Sequence, residues 1–109
     1  MGDVSLTATT EASFAADVLA SPLPVLVEFS ADWCPPCQMI APVLEQIAAD
    51  EAGRLRVVVL DVDDNPVVAD LYQVTAMPTL VLFRAGQEAA RIKGVRPREL
   101  ILAEIAPYL

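Results

Sequence analysis

The chain reads Trp33-Cys34-Pro35-Pro36-Cys37 between an apolar run and a helical pattern, and this stretch decides the fold class. The preceding residues 25–30 are nearly continuously apolar, as expected of a strand that is covered on both faces. The following residues, to about position 51, repeat apolar side chains at helical spacing. A Cys-x-x-Cys motif at such a strand-to-helix junction indicates reversible redox chemistry.

The two cysteines are predicted to have different roles. Cysteines three residues apart lie on one helical face, near enough to form a disulfide. The unpaired amides and partial positive charge of a helix N-terminus favour the thiolate form of Cys34, which is the form that attacks a disulfide. We expect Cys34, just before the helix, to be exposed and Cys37, one turn inside, to be shielded and to resolve the exchange. The alternatives are inert core thiols or half of a zinc site, and the latter lacks further ligands in the chain.

Composition excludes several other classes of function. The chain has 109 residues, a net charge of −8 and no histidine, so Ser-His-Asp catalysis, Cys-His catalysis and histidine metal sites are excluded. Its acidity argues against nucleic acids and anionic membranes as partners. The segment that contains Asp61, Asp63 and Asp64 could suggest a calcium site, but it lacks the glycine and the terminal glutamate of a calcium loop. A solvated turn is therefore predicted there.

The N-terminal segment and the hydropathy give an expectation about location. No stretch approaches the roughly 20 apolar residues of a membrane helix. Residues 1–4 lack a basic segment followed by a long apolar run, which a secretory signal would show. We therefore expect a cytoplasmic protein.

The pattern along the chain predicts one α/β domain over residues 1–109. Thr10 and Asn65 are predicted helix caps, Pro42 is predicted to kink its helix, and Ala85-Gly86 is predicted to turn a hairpin. The predicted order is βαβαβαββα, a mixed central sheet with helices on both faces. The predicted strands are residues 4–7, 25–30, 55–61, 79–83 and 88–93, and the predicted helices are residues 11–20, 34–51, 66–72 and 97–109.

Several separated motifs in one order are similar to those of the thioredoxin family over essentially the whole chain. They are Val25-Leu26-Val27-Glu28-Phe29, Ala31-Asp32-Trp33-Cys34, Met39-Ile40-Ala41-Pro42, Asp63-Asp64-Asn65-Pro66 and Met77-Pro78-Thr79-Leu80. The resemblance implies the thioredoxin fold and a monomeric thiol–disulfide oxidoreductase that reduces disulfide-containing client proteins. It also implies that no cofactor is bound and that a separate flavin reductase supplies electrons.

The resemblance assigns substrate-binding roles to three further residues, and Trp33 is assigned one from its position beside Cys34. Met77 and Pro78 would form a loop with a cis proline opposite the cysteines, where the Met77 backbone pairs with an extended substrate segment. From the residues alone an ordinary trans turn is favoured, because few X-Pro bonds are cis. Trp33 would form a wall of the substrate groove, the alternative being a core aromatic. Gly94 would let a substrate backbone approach, the alternative being a simple turn residue.

Glu28 is the charged residue in an otherwise apolar strand. On the residues alone, a solvated strand end and a buried carboxyl are equally favoured. The resemblance implies an acidic group, usually aspartate, buried behind Cys37 and acting as its general acid–base. Val59 stands where the family often has a lysine, so we predict that the pKa of Glu28 is raised.

This chain departs from the family pattern at three further positions of the site, Pro35, Lys93 and Ser30. Pro35 replaces the commonest glycine between the cysteines. Together with Pro36 it removes two helix-start amides, which weakens stabilisation of the thiolate, and it stiffens the turn, which favours the bridged state; the net effect on the reduction potential stays open. Lys93 places a cation on a groove rim that is usually apolar, and Ser30 replaces a common aromatic residue. Two other functions therefore stay open: a disulfide oxidase or isomerase using the same residues, and a non-catalytic binding adaptor.

Overall fold

The computed structural model describes residues 6–109, which form a five-stranded sheet and its flanking helices. The strands are Thr7–Ala8 (β1), Val25–Ser30 (β2), Arg56–Asp61 (β3), Thr79–Arg84 (β4) and Gln87–Lys93 (β5). The α-helices are Pro35–Asp50 (α1), Pro66–Leu71 (α2) and Arg98–Ile105 (α3). A π-helical segment, Ala15–Leu19, follows β1, and a 3₁₀ turn, Ala106–Tyr108, follows α3.

The sheet is mixed, as predicted, and its strand order is β1-β3-β2-β4-β5. β3 runs parallel to both β1 and β2, because helical crossovers return the chain to the same end of the sheet. β4 runs antiparallel to β2 and to β5. Ala85 and Gly86 both have positive φ, the conformation of a tight hairpin turn, and this confirms the predicted hairpin between β4 and β5.

Alternation along the central strands divides the core into two layers. Val25, Val27 and Phe29 of β2 face one apolar cluster, where Phe14 and Phe83 pack edge to face with ring centroids 5.5 Å apart. Leu26 faces the other cluster, which contains the buried stripes of α1 and α3. Since successive side chains of a strand point to opposite faces, Glu28 lies on the α1 side together with Leu26.

The predicted N-terminal elements differ from the observed ones. Residues 4 and 5 of the predicted first strand lie outside the described residues, and β1 is Thr7–Ala8. In place of a helix over residues 11–20, turns over residues 11–13 lead into the π-helical segment. The Thr10 hydroxyl accepts the Ser13 N–H at 3.2 Å, which closes the first of these turns locally.

Asn65 occupies the N-cap position of α2, but the prediction that its side chain caps this helix is wrong. Its Oδ1 accepts the Glu11 backbone N–H at 2.9 Å. The Glu11 carboxylate in turn accepts the N–H groups of Val67 and Val68 at the start of α2. A carboxylate from a distant part of the chain therefore satisfies the amides that a local cap would otherwise satisfy.

The last helix also ends earlier than predicted. α3 stops at Ile105, and the chain continues as the 3₁₀ turn instead of extending as an α-helix to Leu109. Pro107 lies inside that turn and has no N–H to donate to a carbonyl one turn earlier, so the α-helical pattern cannot continue through it.

Candidate active site

The two cysteines lie where β2 leads into α1, and they form a disulfide. Cys34 is the N-cap residue of α1, and its backbone is extended, with φ −100° and ψ 103°. This is the conformation that a following proline imposes. Cys37 is one turn inside the helix, and the two Cα atoms are 5.3 Å apart. The predicted pairing and position are therefore present.

One backbone amide distinguishes the two sulfurs. The Cys37 N–H donates to Sγ of Cys34, with the nitrogen 3.2 Å from the sulfur. Pro35 and Pro36 have no N–H, so the Cys37 amide is the first that the helix offers. Negative charge on Cys34 would therefore be stabilised by this amide and by the positive end of the α1 dipole.

The expectation that Cys34 is exposed is wrong for this disulfide state. Cys34 is 2% exposed and Cys37 is 4% exposed, so exposure does not separate the two residues. Both pack in a small cluster with Ala31, against the partly buried Val62 and Met77. The Cys34 sulfur is bonded to Cys37 and packs against Val62 and Met77, which come from distant parts of the chain.

Glu28 is buried, 2% exposed, and no hydrogen-bond partner reaches its Oε2 within the described residues. Burial raises the pKa of this carboxyl to about 7, and the Ser30 side chain acts weakly in the opposite direction. The alternative of a solvated strand end is therefore wrong, and the predicted direction of the pKa shift is confirmed.

Glu28 and Cys37 line the same cavity, which has a volume of about 280 Å³ and opens to the surface. Asp32, Glu45 and Val59 also line it, and Val59 lies directly opposite Glu28 in the register of β2 and β3. The cavity has no cationic side chain among its lining residues. It gives water a route to both groups, and nothing in its lining favours the ionised form of Glu28 by opposite charge.

The Met77-Pro78 peptide bond is cis, as the resemblance implied. Met77 packs against the cysteine cluster, so this loop lies beside the disulfide. The Gly94 N–H donates to the Pro78 carbonyl at 2.8 Å, and Gly94 has a φ of +81°, which side chains other than glycine rarely adopt. Gly94 therefore holds the proline loop in place. Its role in admitting a substrate backbone stays a prediction.

Trp33 is 64% exposed, which excludes the alternative of a core aromatic. Its Nε1–H donates to the Asp63 carboxylate at 2.7 Å. The neighbouring Asp61 carboxylate accepts the N–H groups of Asp63 and Asp64, which forms the predicted turn before α2. Sequence reasoning missed the pairing of Trp33 with Asp63, because the partners are 30 residues apart and no local pattern links them.

The structure also bears on metals and membranes. Over residues 6–109, histidine, cysteine, aspartate and glutamate side chains do not gather in threes in a way that would hold a metal ion. Within the same residues no helix combines the length and apolarity needed to span a bilayer.

The chain matches the family model named Thioredoxin over residues 5–107. It is 53% identical over 97 residues to a thioredoxin of Mycobacterium tuberculosis, which covers 89% of this chain and 84% of the relative. It is 45% identical over 109 residues to a thioredoxin of Mycolicibacterium smegmatis, covering 98% and 97% of the two chains. It is also 50% identical over 97 residues to a bifunctional thioredoxin reductase/thioredoxin of Mycobacterium leprae, covering 89% of this chain and 21% of that protein.

Proposed function

The chain belongs to the thioredoxin family of thiol–disulfide oxidoreductases, and we propose that it reduces the disulfides of client proteins with Cys34 as the attacking sulfur. The observation that carries this assignment is the hydrogen bond from the Cys37 amide to Sγ of Cys34 at the start of α1. That donor stabilises one sulfur of the pair, and the stabilised thiolate is the nucleophile.

The reaction proceeds in two exchanges. The Cys34 thiolate attacks one sulfur of the client disulfide, the client S–S bond breaks, and its other sulfur leaves as a thiolate that takes a proton from solvent. Cys37 then loses its proton and attacks Sγ of Cys34, which releases the second client sulfur and forms the Cys34–Cys37 disulfide. Two electrons pass to the client, and this protein is oxidised.

Glu28 is placed to take the proton that Cys37 must lose. Its carboxyl lines the same cavity as Cys37, so water in that cavity can carry the proton between the two groups. A pKa of about 7 means that both protonation states are populated near neutral pH. Glu28 can therefore accept a proton during the second exchange and return it during reduction of the disulfide.

A reductase must return the oxidised protein to the dithiol. The mycobacterial relative whose name joins a thioredoxin reductase to a thioredoxin supports such a partner. We assign a separate flavoprotein to this step, and we place the protein in the cytoplasm, where thiols are kept reduced. A net charge of −8 makes copies of the chain repel each other, in keeping with a monomer.

The direct test is reduction of insulin disulfides with dithiothreitol as the electron source. We expect Cys34→Ser to lose activity. We expect reduced Cys37→Ser, the matched variant one turn away, to accumulate a mixed disulfide with insulin when free dithiothreitol has been removed, and mass spectrometry detects it. Activity that survives in Cys34→Ser, or a mixed disulfide that forms through Cys37 instead, would overturn the assignment.

A second candidate is an oxidase or isomerase that uses the same cysteines. The Cys37 amide beside Sγ of Cys34 favours it, because a stabilised thiolate makes the disulfide a stronger oxidant. Pro35 and Pro36 act in the opposite direction, because they remove two amides that would otherwise stabilise the thiolate. The reduction potential, measured by equilibration with glutathione, separates the candidates. A potential more negative than that of the cytosolic glutathione pool supports the reductase, and a clearly more positive potential supports the oxidase.

A further inference from the structure

A second cavity, with a volume of about 520 Å³, lies between β5 and α3. Four of the seven basic residues of this acidic chain fall between positions 91 and 98. Arg91, Lys93 and Arg96 line the cavity, against the single acid Glu104. Positive charge is therefore concentrated at one place on a protein whose net charge is −8.

Among residues 6–109, β5 is an outer strand that pairs only with β4, and its free edge runs along this cavity. The Gly94 N–H donates to the Pro78 carbonyl, and hydrogen-bonded pairs alternate along an antiparallel ladder. The backbone N–H and C=O groups of Arg91 and Lys93 are therefore directed away from β4. They form a short edge to which another strand can add.

The two sides of this edge differ in chemistry. Ile92 is buried toward α3, whose Leu100 is 53% exposed beside the cavity. The side chains of Arg91 and Lys93 leave the strand on its opposite face, because side chains alternate, and both residues border the cavity from that side at the free edge. An added strand would therefore meet cations on one face and apolar side chains on the other.

Two of the three cations are available to a partner. Arg91 is paired with Glu88 and donates to the Tyr72 carbonyl at 2.7 Å. Lys93 and Arg96 take part in no ion pair within residues 6–109, and the Arg96 guanidinium donates only to the adjacent Val95 carbonyl. Their charges are therefore not neutralised by the protein itself.

We propose that this edge binds an extended segment of a partner protein in which acidic and apolar residues alternate. The segment adds to β5 as a further strand, with its acidic side chains beside Lys93 and Arg96 and its apolar side chains against Leu100. The binding does not use the cysteines, so it goes beyond the redox activity and can succeed or fail independently of it.

The positive charge of this edge favours an acidic segment over a second copy of the chain as the binding partner. Pairing of two β5 edges would bring Arg91 and Lys93 of both copies together, and like charges on adjacent strands destabilise a sheet. An acidic strand gains the opposite interaction. The apolar side of the cavity then favours a strand that presents an apolar residue at every second position.

The test measures fluorescence anisotropy of a labelled peptide of alternating glutamate and valine with the oxidised protein. We expect saturable binding, and binding weaker by at least about tenfold for the peptide in which lysine replaces glutamate. Lys93→Glu combined with Arg96→Glu should weaken binding of the glutamate peptide by a similar factor. The control is Arg54→Glu combined with Arg84→Glu, which makes the same charge change at exposed positions away from the cavity and should leave binding unchanged.

Backbone pairing is tested with N-methylated peptides. In an antiparallel addition, the glutamate amides lie opposite Arg91 and Lys93 and donate to them. N-methylation of the glutamates should abolish binding, whereas N-methylation of the valines should preserve it. The proposal is overturned if the glutamate peptide does not bind, or if both double variants weaken its binding equally. It is also overturned if the glutamate and lysine peptides bind equally well, or if N-methylation of the glutamates leaves binding unchanged.

Discussion

Glu28→Gln is expected to stabilise the oxidised protein by an amount that grows with pH. In the folded protein the pKa of Glu28 is about 7, against an ordinary value of 4.5 that applies once the chain unfolds. Between these values the folded state binds the proton more tightly than the unfolded state, so the free energy of unfolding of the native protein falls as pH rises. Well above pH 7 the carboxyl is ionised in both states, and the free energy of unfolding falls no further on account of Glu28.

The separation of the two pKa values sets the size of this effect. A difference from 4.5 to about 7 corresponds to about 3 kcal/mol. Glutamine has the same shape and no charge to bury, so the variant does not suffer this loss. The difference in free energy of unfolding between Glu28→Gln and the native protein should be smallest below pH 4.5. It should grow in favour of the variant by about 3 kcal/mol between pH 4.5 and 8.

Equilibrium unfolding in guanidinium chloride from pH 4 to pH 8 measures this difference. The protein is kept oxidised, so that neither cysteine titrates. Glu45→Gln is the matched control, because it removes one half-buried carboxyl from the lining of the same cavity and leaves Glu28 in place. The curve of this control should run parallel to that of the native protein. If the Glu28→Gln curve is also parallel, the carboxyl does not ionise at a cost to folding, and the reasoning is refuted.

Three further changes test contacts of the described structure. Glu11→Ala removes the acceptor for two amides at the start of α2 and should lower the free energy of unfolding by about 1 kcal/mol in denaturant; an unchanged value would contradict the capping role. Ile101→Ala leaves a cavity in the core and should cost about 2–5 kcal/mol, and a smaller loss in the same assay would argue against the packing of α3 on the sheet. Trp33→Phe removes the donor to Asp63 and should raise KM for insulin by about twofold to tenfold, with kcat largely retained; the reverse pattern would place Trp33 in the chemical step.

Local patterns along the chain predicted most of the fold. The apolar runs became β2 and β4, Cys34 became the N-cap of α1, and the Ala85-Gly86 turn formed the hairpin. These features depend on neighbours within a few residues: side-chain period, proline without an N–H, and positive φ at a turn. Where several local preferences agree, the structure follows them.

Local patterns were insufficient where a distant residue competes. Asn65 has the chemistry of a cap, but the Glu11 carboxylate satisfies the amides of α2 from 56 and 57 positions earlier in the chain. The burial of Cys34 has the same kind of origin, because Val62 and Met77 cover the disulfide from other elements. Neither contact leaves a pattern in the residues next to the group that it affects.

The sequence by itself determined which residues carry the chemistry: two sulfurs one helical turn apart at a strand-to-helix junction, and a carboxyl in the preceding strand. Only the tertiary structure decided how these groups behave. Packing of α1 on β2 buries Glu28 and raises its pKa, and it opens one cavity to both Glu28 and Cys37. The physical reason is that pKa and solvent access depend on the atoms that surround a group in space, and the fold brings those atoms from distant parts of the chain.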